Sequence, residues 1–72
     1  MFDIGITLRK YRDREKYTQQ YVANYIGISR VAYRKWENNE IDFSISKLLK
    51  VTELYGITMQ EIMSQSYQFR EY

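Results

Sequence analysis

The fold is decided by residues 19–38, which read QQYVANYIGISRVAYRKWEN. Apolar residues recur in this stretch with the period of an α-helix, and Gly27-Ile28-Ser29 interrupts them. Gly27 can take the positive φ of a sharp turn, Ser29 can cap a following helix, and the small Ala23 lets two helices cross closely. The stretch therefore predicts two short helices joined by a tight turn.

The flanking residues show the same helical period, and none of them alternates for long with the period of a β-strand. Thr18 can cap the helix that opens this unit, and Ser44 or Ser46 can cap a later one. Thr58 and Glu61 have the spacing of a capping box. The sequence therefore predicts one compact all-α domain over residues 1–72, with five helices at about 4–16, 19–26, 30–38, 45–55 and 59–69.

The composition excludes several kinds of chemistry. The 72 residues contain no Cys, no His and no Pro. Without Cys or His there is no ordinary zinc site, no thiolate nucleophile and no imidazole base. We therefore expect a protein that is not an enzyme and that uses no metal and no cofactor.

No segment resembles a targeting or membrane signal. The longest apolar run, residues 25–28, has four residues, whereas a bilayer-spanning helix needs ~20. The N-terminal residues MFDIG lack the basic and apolar regions of a signal peptide. We expect a cytoplasmic protein that has no membrane partner.

The net charge of +2 is the sum of a positive N-terminal half and a negative C-terminal half. Residues 1–36 hold eight Lys and Arg against three acidic residues, and residues 37–72 hold three against six. The positive half includes both helices of the central unit. This distribution favours an anionic partner for that half of the chain.

The second helix of the central unit is predicted to present a cationic face. Its period directs Tyr33, Trp36 and Glu37 toward the core, and Tyr25 of the preceding helix is expected to face inward as well. We favour core packing for these aromatic residues over base stacking in a single-strand binder. Three cations in the exposed N-terminal half would oppose the helix dipole, which suggests that they contact an anionic ligand. This face carries Arg30, Val31, Arg34, Lys35 and Asn38.

Several motifs together resemble a known family. They are LRKYR at 8–12, TQQYVA at 18–23, IGISR at 26–30, YRKWEN at 33–38, LLKV at 48–51, YGIT at 55–58 and EI at 61–62. In this combination the chain resembles the Cro/CI-type (XRE) helix-turn-helix family of phage and bacterial transcription regulators. The resemblance covers roughly residues 4–63. It implies a five-helix fold of the lambda-repressor type, in agreement with the helices counted above.

The resemblance also implies roles for individual residues. Gln19 would contact a phosphate, and Asn38, with the loop through Asn39 and Glu40, would lie near the DNA backbone. Arg12 and Glu37 match a pair that forms a buried ion pair in many members. The base-reading positions of double-stranded DNA would be Arg30, Val31, Arg34 and Lys35. Three residues depart from the family pattern: Asn39 replaces a usual Gly, Phe43 a common Pro, and Tyr55 a smaller aliphatic residue.

The resemblance implies a sequence-specific regulator, and we expect a repressor that binds a pseudo-palindromic operator as a homodimer. The alternative is an antitoxin-like interaction module that sequesters a toxin partner and also binds its own promoter. For the last helix, core packing and a dimer surface remain equally open. The residues concerned are Met59, Ile62, Met63 and Phe69.

Overall fold

The computed structural model describes residues 3–40 and 44–66. Within these ranges the chain forms α-helices and no β-strand, so the predicted all-α five-helix fold is confirmed. Two helices end one residue earlier than expected, and residues 67–69 of the predicted last helix lie outside the described residues. The helices are α1 (Ile4–Glu15), α2 (Gln19–Ile26), α3 (Arg30–Glu37), α4 (Ile45–Tyr55) and α5 (Met59–Ser66).

Each helix begins at a polar side chain that accepts a hydrogen bond from a backbone amide of the first turn. Of the two candidate serines before α4, Ser44 is the cap, because its Oγ accepts from the amide of Lys47. Thr58 and Glu61 exchange hydrogen bonds as a capping box at α5. The caps of the first three helices are Asp3, Thr18 and Ser29.

Helices α1, α2 and α4 end in the same way. Each is followed by a residue in the left-handed conformation, namely Lys16, Gly27 and Gly56. The next residue donates its amide to a carbonyl five positions earlier and packs its apolar side chain against the core, which completes a C-terminal capping motif. These apolar residues are Tyr17, Ile28 and Ile57.

The core lies between the five helices and receives side chains from all of them. In the central unit, Ala23 is fully buried, as close crossing of α2 and α3 requires. The buried residues of the unit fix the orientation of α3 relative to the rest of the domain. The core consists of Ile4, Leu8, Val22, Ala23, Ile26, Tyr33, Trp36, Leu48, Val51 and Ile62.

One expectation about burial is wrong, and one open question is answered. Tyr25 is 39% exposed, because it lies about 100° around α2 from Ile26, at the edge of the face formed by Val22, Ala23 and Ile26. Ile62 is fully buried in the core of its own chain and is unavailable to a dimer surface. Met59 and Met63 also pack against this core, and Phe69 lies outside the described residues.

In the described ranges, no helix has both the length and the apolar character needed to cross a membrane.

Candidate nucleic-acid interface

Helix α3 has one buried face and one exposed face. Tyr33, Trp36 and Glu37 are buried, as the sequence predicted. On the opposite side Arg30 and Arg34 are exposed, Val31 is 51% exposed, and Lys35 is half-buried. The exposed face is therefore cationic with one apolar side chain in it, and an exposed valine in such a place is suited to contact with an apolar group of a ligand.

The cations of this face are not neutralised by the fold. Across residues 3–40 and 44–66, no carboxylate lies within salt-bridge distance of Arg30, Arg34 or Lys35. The expectation that all three oppose the helix dipole is wrong. Helix α3 has eight residues, so Arg34 and Lys35 lie in its last turn, where the dipole favours cations. Only Arg30, the first residue of the helix, lies at the unfavourable end.

A buried carboxylate fixes the position of this helix. Glu37 Oε2 accepts a hydrogen bond from Arg12 Nε at 2.6 Å, and Glu37 Oε1 accepts from Arg12 Nη2 at 3.2 Å. Arg9 Nε lies 3.7 Å from the same Oε1, and Arg12 Nη1 also donates to the carbonyl of Tyr17 at 3.2 Å. The carboxylate therefore ties α1 to α3.

Two opposing effects act on the pKa of Glu37. Burial acts to raise it, but hydrogen bonds to the carboxylate, foremost those from Arg12, outweigh burial and hold the pKa below its ordinary value. The hydrogen bond to Glu37 likewise raises the pKa of Arg12. Both groups are therefore charged at neutral pH, and the ion pair is intact.

Gln19 joins this cluster from the start of α2. Its Nε2 donates to Glu37 Oε1 at 3.2 Å, so the same carboxylate contacts side chains from α1 and α2. An amide nitrogen carries two protons, and the bond to Glu37 uses one of them. The hydrogen bond to Glu37 thus holds the side chain of Gln19 in one orientation. No local pattern indicates this bond, because Gln19 and Glu37 are 18 positions apart.

Asn38 lies at the exposed end of α3. It is the C-cap residue of the helix, and its amide donates to the carbonyl of Arg34 at 3.1 Å. Arg30, Val31, Arg34 and Asn38 therefore share one side of the unit. No cluster of three or more potential metal-ligating side chains occurs within the described part of the chain.

The comparisons with known proteins agree with this geometry. The model of a helix-turn-helix family matches residues 8–62, which is most of the chain. Over 54 residues the chain is 32% identical to the SPbeta prophage-derived uncharacterized HTH-type transcriptional regulator YonR of Bacillus subtilis (strain 168). The aligned part is 75% of this chain and 50% of that relative, so the chain spans about half the length of the curated relative it matches. No solved structure matches significantly. The chain belongs to the XRE-type helix-turn-helix family, whose fold is of the lambda-repressor type.

Proposed function

We propose that this protein is a sequence-specific double-stranded DNA-binding transcription regulator, and that it represses by occupying its operator. The cationic face of α3, which no described carboxylate neutralises, is the observation that carries this proposal. Membership of the helix-turn-helix family and the similarity to a relative named as a transcriptional regulator support it. A cytoplasmic location follows from this proposal.

In this proposal, residues in the first turns of α3 recognise the bases. The major groove of DNA, about 12 Å wide, admits an α-helix and displays a distinct donor and acceptor pattern for each base pair. Arg30 would pair with guanine O6 and N7, and the exposed Val31 would press on a thymine methyl group. Arg34 and Lys35, one turn later, would read or approach the following base pairs. A bidentate arginine–guanine pair is worth about 1–3 kcal/mol of discrimination.

Phosphate contacts fix the helix in the groove. Gln19, held by Glu37, would donate to a phosphate on one side of α3, and Asn38 would approach the backbone on the other. Such contacts set the register of the protein on the duplex and carry no sequence information themselves. The cations of α3 would make the affinity depend on salt, because their approach to phosphates releases counterions from the DNA.

We propose a homodimer on a pseudo-palindromic operator. One helix of eight residues reads only a few base pairs, and a second copy related by two-fold symmetry doubles the site that is read. Half-sites would then lie about one helical turn, roughly 10 base pairs, apart on the same face of the duplex.

Selection of bound duplexes from a random pool tests this proposal. We expect enrichment of one motif, composed of two symmetric half-sites about 10 base pairs apart. An R30A/R34A variant, selected in parallel, should enrich no such motif. Failure of the wild-type protein to enrich any sequence would overturn the proposed function, whereas enrichment of a single unrepeated half-site would overturn only the homodimer.

A further inference from the structure

Helix α3 ends differently from α1, α2 and α4. Its left-handed residue is Asn39, with φ 58°, where the family resemblance leads one to expect glycine. The backbone pattern is the same as elsewhere, since Glu40 donates its amide to the carbonyl of Lys35 at 2.9 Å and Asn39 donates to that of Trp36 at 3.1 Å. The apolar residue that follows the left-handed residue in the other three helices is replaced here by Glu40, which is charged and exposed. Glu37 fixes the last turn of α3, and a different contact holds residues 38–40.

The side chain of Asn39 makes that contact. Its Oδ1 accepts a hydrogen bond from the amide of Gly5 at 3.1 Å, and its Nδ2 donates to the carboxylate of Asp3. The Gly5 amide is one of the first four of α1, which have no acceptor within their own helix. Asp3 Oδ1 caps the same helix by accepting from the amide of Ile6 at 3.1 Å. Asn39 thus ends α3 and completes the cap of α1 at once.

The two helices approach very closely at this point. Gly5 is buried against the end of α3, and a Cβ added to it would lie 2.2 Å from the carbonyl oxygen of Glu37. The start of α1 is in turn fixed to the end of α5, because the amide of Asp3 donates to the carbonyl of Ser66 at 2.6 Å. The exit of α3 is therefore attached through Asn39 to the ends of two other helices.

We propose that Asn39 is a positioning residue for DNA binding. Its two side-chain hydrogen bonds hold residues 38–40 against α1, so that Asn38 meets the phosphate backbone in one arrangement. A glycine would give the same left-handed backbone and neither of these bonds. This inference rests on the proposed function. The two hydrogen bonds on which it depends require the side chain of Asn39.

The variant N39G removes the side chain and keeps a backbone that glycine adopts readily. We expect its affinity for a duplex selected by the wild-type protein to fall about fivefold, the change that corresponds to loss of a typical hydrogen bond. In the free protein, the amides of Asn39 and Glu40 should exchange with solvent about tenfold faster, because they open more often. Both measurements are made at a temperature where circular dichroism shows the variant to be folded.

The matched control is T58A, which removes the cap of α5 far from α3 and lowers stability by a similar amount. T58A should leave DNA affinity and the exchange of residues 39–40 unchanged. Equal losses of affinity in N39G and T58A would overturn the proposal, because they would reflect stability alone. Unchanged affinity in N39G would also overturn it.

Exchanging the residue types of Asp3 and Asn39 gives a test that needs no DNA. The variant N39D places two carboxylates together, and amide exchange at residue 40 should accelerate about tenfold. The double variant D3N/N39D restores one donor and one acceptor, and exchange should return to within about twofold of wild type. Absence of this recovery would overturn the proposal. A wild-type protein that enriches no duplex would instead overturn the proposed function, and the exchange data would still show whether the contact holds the loop.

Discussion

Arg12 holds the buried carboxylate of Glu37 with two hydrogen bonds, from Nε at 2.6 Å and from Nη2 at 3.2 Å. The pair connects α1 with the last residue of α3, and Gln19 adds α2 through a third bond to the carboxylate. Three helices, including the two that carry the proposed DNA contacts, thus meet at one charged group. The orientation of the cationic face depends on this group remaining charged and paired.

Substitution of Glu37 by glutamine should be strongly destabilising. E37Q leaves the guanidinium of Arg12, whose side chain is 16% exposed, without its carboxylate. Removing one partner of a buried ion pair typically lowers the free energy of unfolding by about 3–5 kcal/mol. Urea unfolding at pH 7 measures this change. The matched control is E15Q, which breaks an exposed pair with Arg14 and should cost less than about 0.5 kcal/mol.

The same carboxylate should make stability sensitive to acid. Because folding lowers the pKa of Glu37, the unfolded chain binds this proton more readily than the folded one. Its contribution is full above the ordinary pKa of an unfolded glutamate, about 4.3. It is lost as the pH falls through the lower folded pKa. The difference in unfolding free energy between wild type and E37Q should therefore shrink between pH 6 and pH 3. A difference that stays constant over this range would contradict the assignment.

Gly5 should tolerate no side chain. In G5A the new Cβ would meet the backbone carbonyl of Glu37, which cannot move without displacing α3 from α1. We expect a loss of about 3 kcal/mol in unfolding free energy, at the upper end of what overpacking costs. G56A is the comparison, since its Cβ would meet nothing within 4 Å and only the left-handed φ of 66° is penalised, by about 1 kcal/mol. Equal losses in the two variants, measured by thermal unfolding, would refute the close contact.

Gln19 should contribute to affinity without contributing to base preference. Q19A removes one donor to phosphate, so binding should weaken by a similar factor on every duplex. Because the amide of Gln19 is neutral, the slope of log affinity against log salt should stay nearly the same. Q20A on the neighbouring exposed position, whose amide bonds only to Asn24 among described partners, should leave both quantities unchanged. Loss of preference at one base position in Q19A would show that the residue reads sequence instead.

Helix positions were predictable because they depend on local signals. Thr18, Ser29 and Thr58 are caps by residue type, and Gly27 and Gly56 end helices by their freedom to adopt positive φ. Helical spacing also identified Tyr33, Trp36 and Glu37 as buried.

Contacts between distant parts of the chain were not predictable in the same way. The bonds of Asn39 to Asp3 and Gly5 span 36 and 34 positions, so no local pattern in the sequence indicates them. The predicted burial of Tyr25 is wrong because the periodicity of a short helix locates the centre of its buried face only to within about one residue, or about 100°. Ile62 was open to two interpretations because an apolar residue suits a core and an interface equally.

The role of Arg30 tests the central claim most directly. Equilibrium titrations of wild type and R30A should use the selected duplex and a set with each base pair changed singly. Wild type should lose about 1–3 kcal/mol at the base pair that Arg30 reads, and R30A should lose that preference while keeping those at other positions. The charge-matched control is K35A, which removes one cation from the same face and should leave the preference at the Arg30 base pair unchanged. An R30A variant with the wild-type preference at every base pair would contradict base recognition by the cationic face of α3.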